Sequence, residues 1–179
     1  MTAIAHYCPC GLPDVVQTQP RLPDGTPFPT LYYLTCPRAT AAISRLEAAG
    51  VMREMQARLA AEPALQAAYG AAHADYLRRR DEAATAAGQQ PLPAGTQSAG
   101  GMPGRVKCLH ALAAHELAVP GTNPVGAEAV REAGSWWEAG RCVPDTGGVP
   151  ETGGAPDTGG VPESERGRES SGNAGKAAG

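Results

Sequence analysis

From Pro37 onward the apolar residues recur with a helical period, whereas upstream they fall in short β-favouring runs interrupted by proline. Ile43 and Leu46 share a face of a first helix, and Gly50 suits its C-terminal cap. Val51, Met55 and Leu59 mark a second helix that ends before Pro63. The clearest pattern comes next, with Leu65, Tyr69, Ala72 and Tyr76 at i, i+4, i+7 and i+11 and Pro63 in the first turn, where an amide has no helical partner to lose. After a loop over 88–104, two more helices are expected, from about Val106 to Ala118 and from about Gly126 to Glu138, the last carrying Trp136 and Trp137. Upstream, Asp14–Thr18 and Leu31–Thr35 read as a pair of strands. The stretch Pro20–Pro29 between them holds four prolines and one glycine, which exclude regular structure. The pattern is that of an α+β fold: a mostly helical single domain with a small N-terminal two-strand β element.

Past residue 142 the pattern stops. Residues 143–179 repeat Val-Pro-Asp-Thr-Gly-Gly with variations and then run through Ser, Gly, Arg and Ala, with no aromatic residue, Leu, Ile or Met. Such a segment has too little apolar surface to offset its backbone entropy, so a disordered tail is expected to follow a compact domain over 1–142. Six acidic against three basic side chains give the tail the whole formal charge of −3. The body balances 12 acids with 12 bases, which argues against a general nucleic-acid surface, because phosphate binding calls for a basic excess. The N-terminus lacks the basic start and apolar run of a signal peptide, and no stretch nears the ~18 apolar residues of a membrane span. A cytoplasmic protein with reduced thiols is the expectation.

In that setting the five cysteines point to metal binding, catalysis or plain packing before disulfides. Four of them fall, with histidines, into short clusters: His6-Tyr-Cys8-Pro-Cys10-Gly11, Thr35-Cys36-Pro37 and Lys107-Cys108-Leu-His110. Thiolates arranged tetrahedrally suit zinc or an iron–sulfur centre, so Cys8, Cys10, Cys36 and Cys108, with His110 beside Cys108, are the expected metal ligands. If one ion joins Cys8, Cys36 and Cys108, their sulfurs must approach to about 4 Å. Cys142, at the edge of the tail, is expected to stand apart from the site. His115 lies seven residues beyond Cys108, too far along a helix to share an ion with it, and the His110–His115 spacing of five is not that of a metalloprotease helix. The competing view is that these cysteines are small buried hydrophobes.

Two further readings stay open beside the metal site. Cys36 opens a helix, where a thiol is activated as a nucleophile, and Gly100-Gly-Met-Pro-Gly104-Arg-Val-Lys107 leads into another helix start, so that Gly101, Arg105 and Lys107 form a candidate anion cradle for a phosphate. It lacks the G-x-x-x-x-G-K-[ST] pattern. Alternatively the chain is a binding or scaffold protein, presenting Phe28 at the tip of the proline-rich loop and the Trp pair at the other end to a protein partner. Arg78-Arg79-Arg80 reads as a solvated helix end and His73 as a surface residue.

Four segments, in order, carry a family resemblance: Cys8-Pro-Cys-Gly-Leu-Pro-Asp-Val-Val16, Pro27-Phe-Pro-Thr-Leu-Tyr-Tyr-Leu-Thr-Cys-Pro37, Ile43-Ser-Arg-Leu-Glu-Ala-Ala-Gly50 and Gly100-Gly-Met-Pro-Gly-Arg-Val-Lys-Cys-Leu-His110. They resemble the bacterial domain-of-unknown-function family numbered 501, over most of residues 6–142. The resemblance implies a small intracellular, mainly actinobacterial protein, often encoded near enolase, a septum-formation protein and an exopolyphosphatase. It carries over no catalytic residue.

Overall fold

Three strands, β1 (Ala3–Tyr7), β2 (Pro13–Gln17) and β3 (Tyr32–Leu34), form an antiparallel sheet in the order β1-β2-β3. The computed structural model that shows this describes residues 3–143, so the expected tail disorder lies outside the described residues. The expected strand pair is β2 with β3, in register Val15 opposite Leu34 and Gln17 opposite Tyr32. β1 adds a third strand. Its alanine-rich sequence has little strand propensity of its own, and it is held by pairing, with Ile4 opposite Val16 and His6 Nδ1 2.7 Å from the buried carboxylate of Asp14.

The helices follow the predicted order. α1 (Pro37–Ala48), α2 (Val51–Ala61) and α3 (Pro63–Ala86) start at or near the anticipated residues, and Gly50, at φ +82°, takes the left-handed turn between the first two. α4 spans Leu109–Ala118, beginning later than expected because Cys108 is extended at its N-cap. α5 (Pro124–Ala133) is capped by Asn123, whose side chain accepts the Gly126 amide. It stops five residues short of the predicted Glu138, because Gly134 leaves helical geometry at φ 69°, ψ −165°. Trp136 and Trp137 therefore sit in turns beyond the helix, not on it.

α4 is the centre of the packing. Leu109, Leu112, Ala113, Ala114 and His115 are all buried, against the sheet on one side and α5 on the other. The α4–α5 approach requires Gly126, since a β-carbon there would lie 2.2 Å from the Leu112 carbonyl oxygen. His115 is sealed between Tyr32 and Tyr76, with Asn123 Nδ2 donating to its Nδ1 at 3.3 Å and Asp75 at 3.4 Å from its Nε2. The Glu116 carboxylate accepts three successive amides, Gly121, Thr122 and Asn123, at 2.6, 3.1 and 2.7 Å, fixing the α4–α5 turn. Arg80 departs from the solvated helix end read from the sequence: it is 3% exposed and donates to the carbonyls of Gln97 and Thr96, tying down the 88–104 loop. Among the described residues no helix is long and apolar enough to cross a membrane.

Candidate metal centre

Antiparallel pairing sets where the thiols can meet. β1 ends and β2 begins at one edge of the sheet, and because Val15 pairs with Leu34, β3 also ends there and hands the chain to α1. The β1–β2 connection is a tight turn in which the Cys8 carbonyl accepts the Gly11 amide at 2.8 Å, with Pro9 preset for the turn and Gly11 at φ +87°. The Cys8 amide then donates to Leu12, so Cys8 and Cys10 are presented from one small loop. Cys36 is the N-cap of α1, its sulfur accepting the Ala39 amide at 3.5 Å. The fourth thiol is Cys142. The turns after Gly134 carry it back across the fold, and Arg38 in the first turn of α1 donates to the Gly140 carbonyl and anchors that return.

Cys8 and Cys142 Sγ are 3.6 Å apart, and the sulfurs of Cys8, Cys10 and Cys142 all lie within 4.8 Å of one another. Cys36 contacts Cys142 from the α1 side and joins Cys8 and Cys142 in a buried cluster walled by Trp136 and Trp137. It falls outside the set in which every pair is within 4.8 Å. Cys142 thus belongs to the cluster from which the sequence reading set it apart. Cys108 does not join it.

The thiols differ in their ease of ionisation. The amides of Cys142 and Leu12 face Cys10 and lower its pKa from 9.0 to about 7. Burial raises the pKa of Cys8, against the opposing pull of the Cys10 amide. Cys142 is raised further, by burial first and then by the neighbouring thiols of Cys36, Cys10 and Cys8. The Trp136 indole N–H is buried without an acceptor in hydrogen-bond geometry, yet it lies near enough to Cys8 to favour that thiolate. Several thiols in one pocket repel as anions, and a dication removes that penalty.

Cys108 and His110 lie elsewhere, with Glu47 of α1. Their ligand atoms are all within 4.8 Å of one another. His110 Nδ1 is 3.2 Å from Glu47 Oε1, and its Nε2 is 3.2 Å from both the Thr40 carbonyl and Ser44 Oγ. Glu47 was not anticipated: it is one of twelve acids in the body, and nothing local marks it as the one that crosses to α4.

The candidate anion cradle is occupied by the protein itself. The Lys107 amide donates to Gly100, the Arg105 amide to Gly101 and the Met102 amide to Ala99, while the first amide of α4, at Leu109, donates to Glu47 Oε1 at 2.7 Å. Gly101 is glycine because of close packing, with Arg105 O 2.7 Å from where a β-carbon would stand. The side chains of Arg105 and Lys107 point to solvent. As for the candidate nucleophile, Cys36 is 3% exposed and committed to capping α1. Phe28 is half-buried and stacks on Tyr33, ring centres 5.6 Å apart, and the Trp pair packs on the thiol cluster.

A family model described as "Protein of unknown function (DUF501)" matches residues 4–131. The matched span holds Cys8, Cys10, Cys36, Glu47, Cys108 and His110, and Cys142 lies beyond it. Neither the curated proteins nor the solved structures gave a significant match.

Proposed function

The chain belongs to the DUF501 family, described only as proteins of unknown function, and from the meeting of four cysteines at one end of its sheet we propose that it is a zinc-binding protein. The ion is held by Cys8, Cys10, Cys36 and Cys142, and it clasps the β1–β2 turn, the start of α1 and the turns after α5 together. The observation that carries this reading is the sulfur spacing. A tetrahedral zinc with bonds of ~2.3 Å sets its sulfurs about 3.8 Å apart, close to the 3.6 Å between Cys8 and Cys142. An iron–sulfur cluster, whose cysteines bind different irons, would hold the sulfurs farther apart. Four thiolates leave no open position, which is the mark of a structural site.

Elemental analysis of freshly purified protein tests this. Zinc is expected at one equivalent or more per chain, lost from the thiol site in Cys10→Ser. Metal-free protein with unchanged stability, or zinc content indifferent to Cys8, Cys10 and Cys142, would overturn the proposal.

A further inference from the structure

We propose that Glu47, Cys108 and His110 form a second metal site whose free position opens onto a cavity between β3 and α4, and that a small, largely apolar ligand binds there through one coordinating atom. This site is independent of the thiol cluster. It is built by different elements, α1 and the start of α4, and no residue is shared.

The hydrogen bonds argue for a cation. His110 Nε2 is 3.2 Å from both the Thr40 carbonyl, which only accepts, and Ser44 Oγ; in the tautomer that donates Nε2–H to that carbonyl, the lone pair of a neutral ring is on Nδ1. That lone pair faces Glu47 Oε1 at 3.2 Å. Two acceptors so placed need a positive charge between them, and zinc with bonds of about 2.0–2.2 Å holds tetrahedral ligands at about 3.4 Å. A histidine whose second nitrogen donates to a carbonyl, beside a carboxylate oriented by an amide, is the usual outer support of a bound metal. Here the Leu109 amide orients Glu47 Oε1 at 2.7 Å. The Cys108 thiol completes three ligands of oxygen, nitrogen and sulfur. Three protein ligands leave the fourth position free, unlike a closed set of four thiolates.

That position has somewhere to open. Cys108 and His110 line a cavity of about 290 Å³, with Tyr32, Tyr33, Leu34 and Ala111 among its walls. The volume is at the small end of ligand pockets, and the lining is mainly apolar with few polar groups, which suits a compact ligand carrying one donor atom.

The test loads metal-stripped full-length protein with Co²⁺ and counts bound metal with the absorption spectrum. Wild type is expected to bind two equivalents. Glu47→Gln keeps an oxygen to accept the Leu109 amide, so the fold survives, and with His110→Gln it should bind one, with the thiolate charge-transfer bands of the first site unchanged. Cys10→Ser should do the reverse. Added imidazole, a one-donor probe, should alter the wild-type cobalt spectrum and leave that of Glu47→Gln unaffected. Equal metal content in wild type, Glu47→Gln and His110→Gln would overturn the second site and leave only a direct His110–Glu47 contact. Loss on Glu47→Gln but not on Cys10→Ser would instead sink the thiol site and keep this one. Loading of both sites without any imidazole response would overturn the ligand-binding role.

Discussion

The sulfurs of Cys8 and Cys142 are 3.6 Å apart although 134 residues separate them in the chain. A bond to a common ion there closes nearly the whole body into one loop, and the entropy removed from the unfolded chain grows with loop length. Cys142→Ser is therefore expected to lower zinc content and to destabilise the fold by several kcal/mol, read as a fall in the urea midpoint. Cys108→Ser should leave the thiol-site zinc in place. A Cys142→Ser protein with full zinc content would remove Cys142 from the ligand set.

In chelator-stripped protein Cys10 should be the first thiol to react. It is the least buried of the four, and the Cys142 and Leu12 amides hold its pKa down at about 7. Iodoacetamide labelling followed by mass spectrometry should show its rate rising to half-maximum near pH 7, with Cys8 and Cys142 labelling only at higher pH. Zinc should protect it. Equal labelling of all five cysteines at neutral pH would contradict the cluster geometry.

Acid should weaken the fold through His115. Burial lowers its pKa below the ordinary 6.5, so between 6.5 and its folded value the unfolded chain binds a proton that the folded chain does not. Stability is then fully present above pH 6.5 and falls as pH drops below it. His73, lowered mainly by burial, acts in the same direction. His115→Gln should flatten the dependence of the urea midpoint between pH 6.5 and 5, even though the variant is less stable at pH 7.

Gly126→Ala should cost about 1–3 kcal/mol or more, because its β-carbon collides with backbone at Leu112 rather than with a yielding side chain. Gly70→Ala makes the control: it is helical with open space around it, so its unfolding midpoint should stay level or rise. A tolerant Gly126 would mean that α4 and α5 can separate without loss.

We propose that residues 1–142 fold as a compact domain without the remainder of the chain. Truncation after Val143 should leave cooperative thermal unfolding and shift stability by no more than about 0.5 kcal/mol, the usual range for changes away from a core. A larger drop would show that the tail docks on the body.

The helices were legible because their signals are local. Pro37, Pro63 and Pro124 open three of them, Gly50 divides α1 from α2, and Tyr69, Ala72 and Tyr76 trace the buried face of α3. β1 was not, since Ala3–Tyr7 becomes a strand only through its partner β2, which no local propensity records. Three of the four clustered thiols could be picked from their turn and helix-cap settings. Cys142 could not, because its place depends on the Gly134 break and the Arg38–Gly140 contact, both properties of the folded return path. Cys36 and Cys108 look alike in sequence, each the N-cap of a helix, and only the packing of α1 against α4 assigns one to the thiol cluster and the other to Glu47.

Glu116 offers a last consequence. Its carboxylate fills a bowl of three convergent amides between α4 and α5, so Glu116→Ala would leave those donors facing an empty seat of carboxylate size. Free acetate has the shape and charge to settle there, and stability lost in that variant should return as acetate is added, an intermolecular replacement for a side chain.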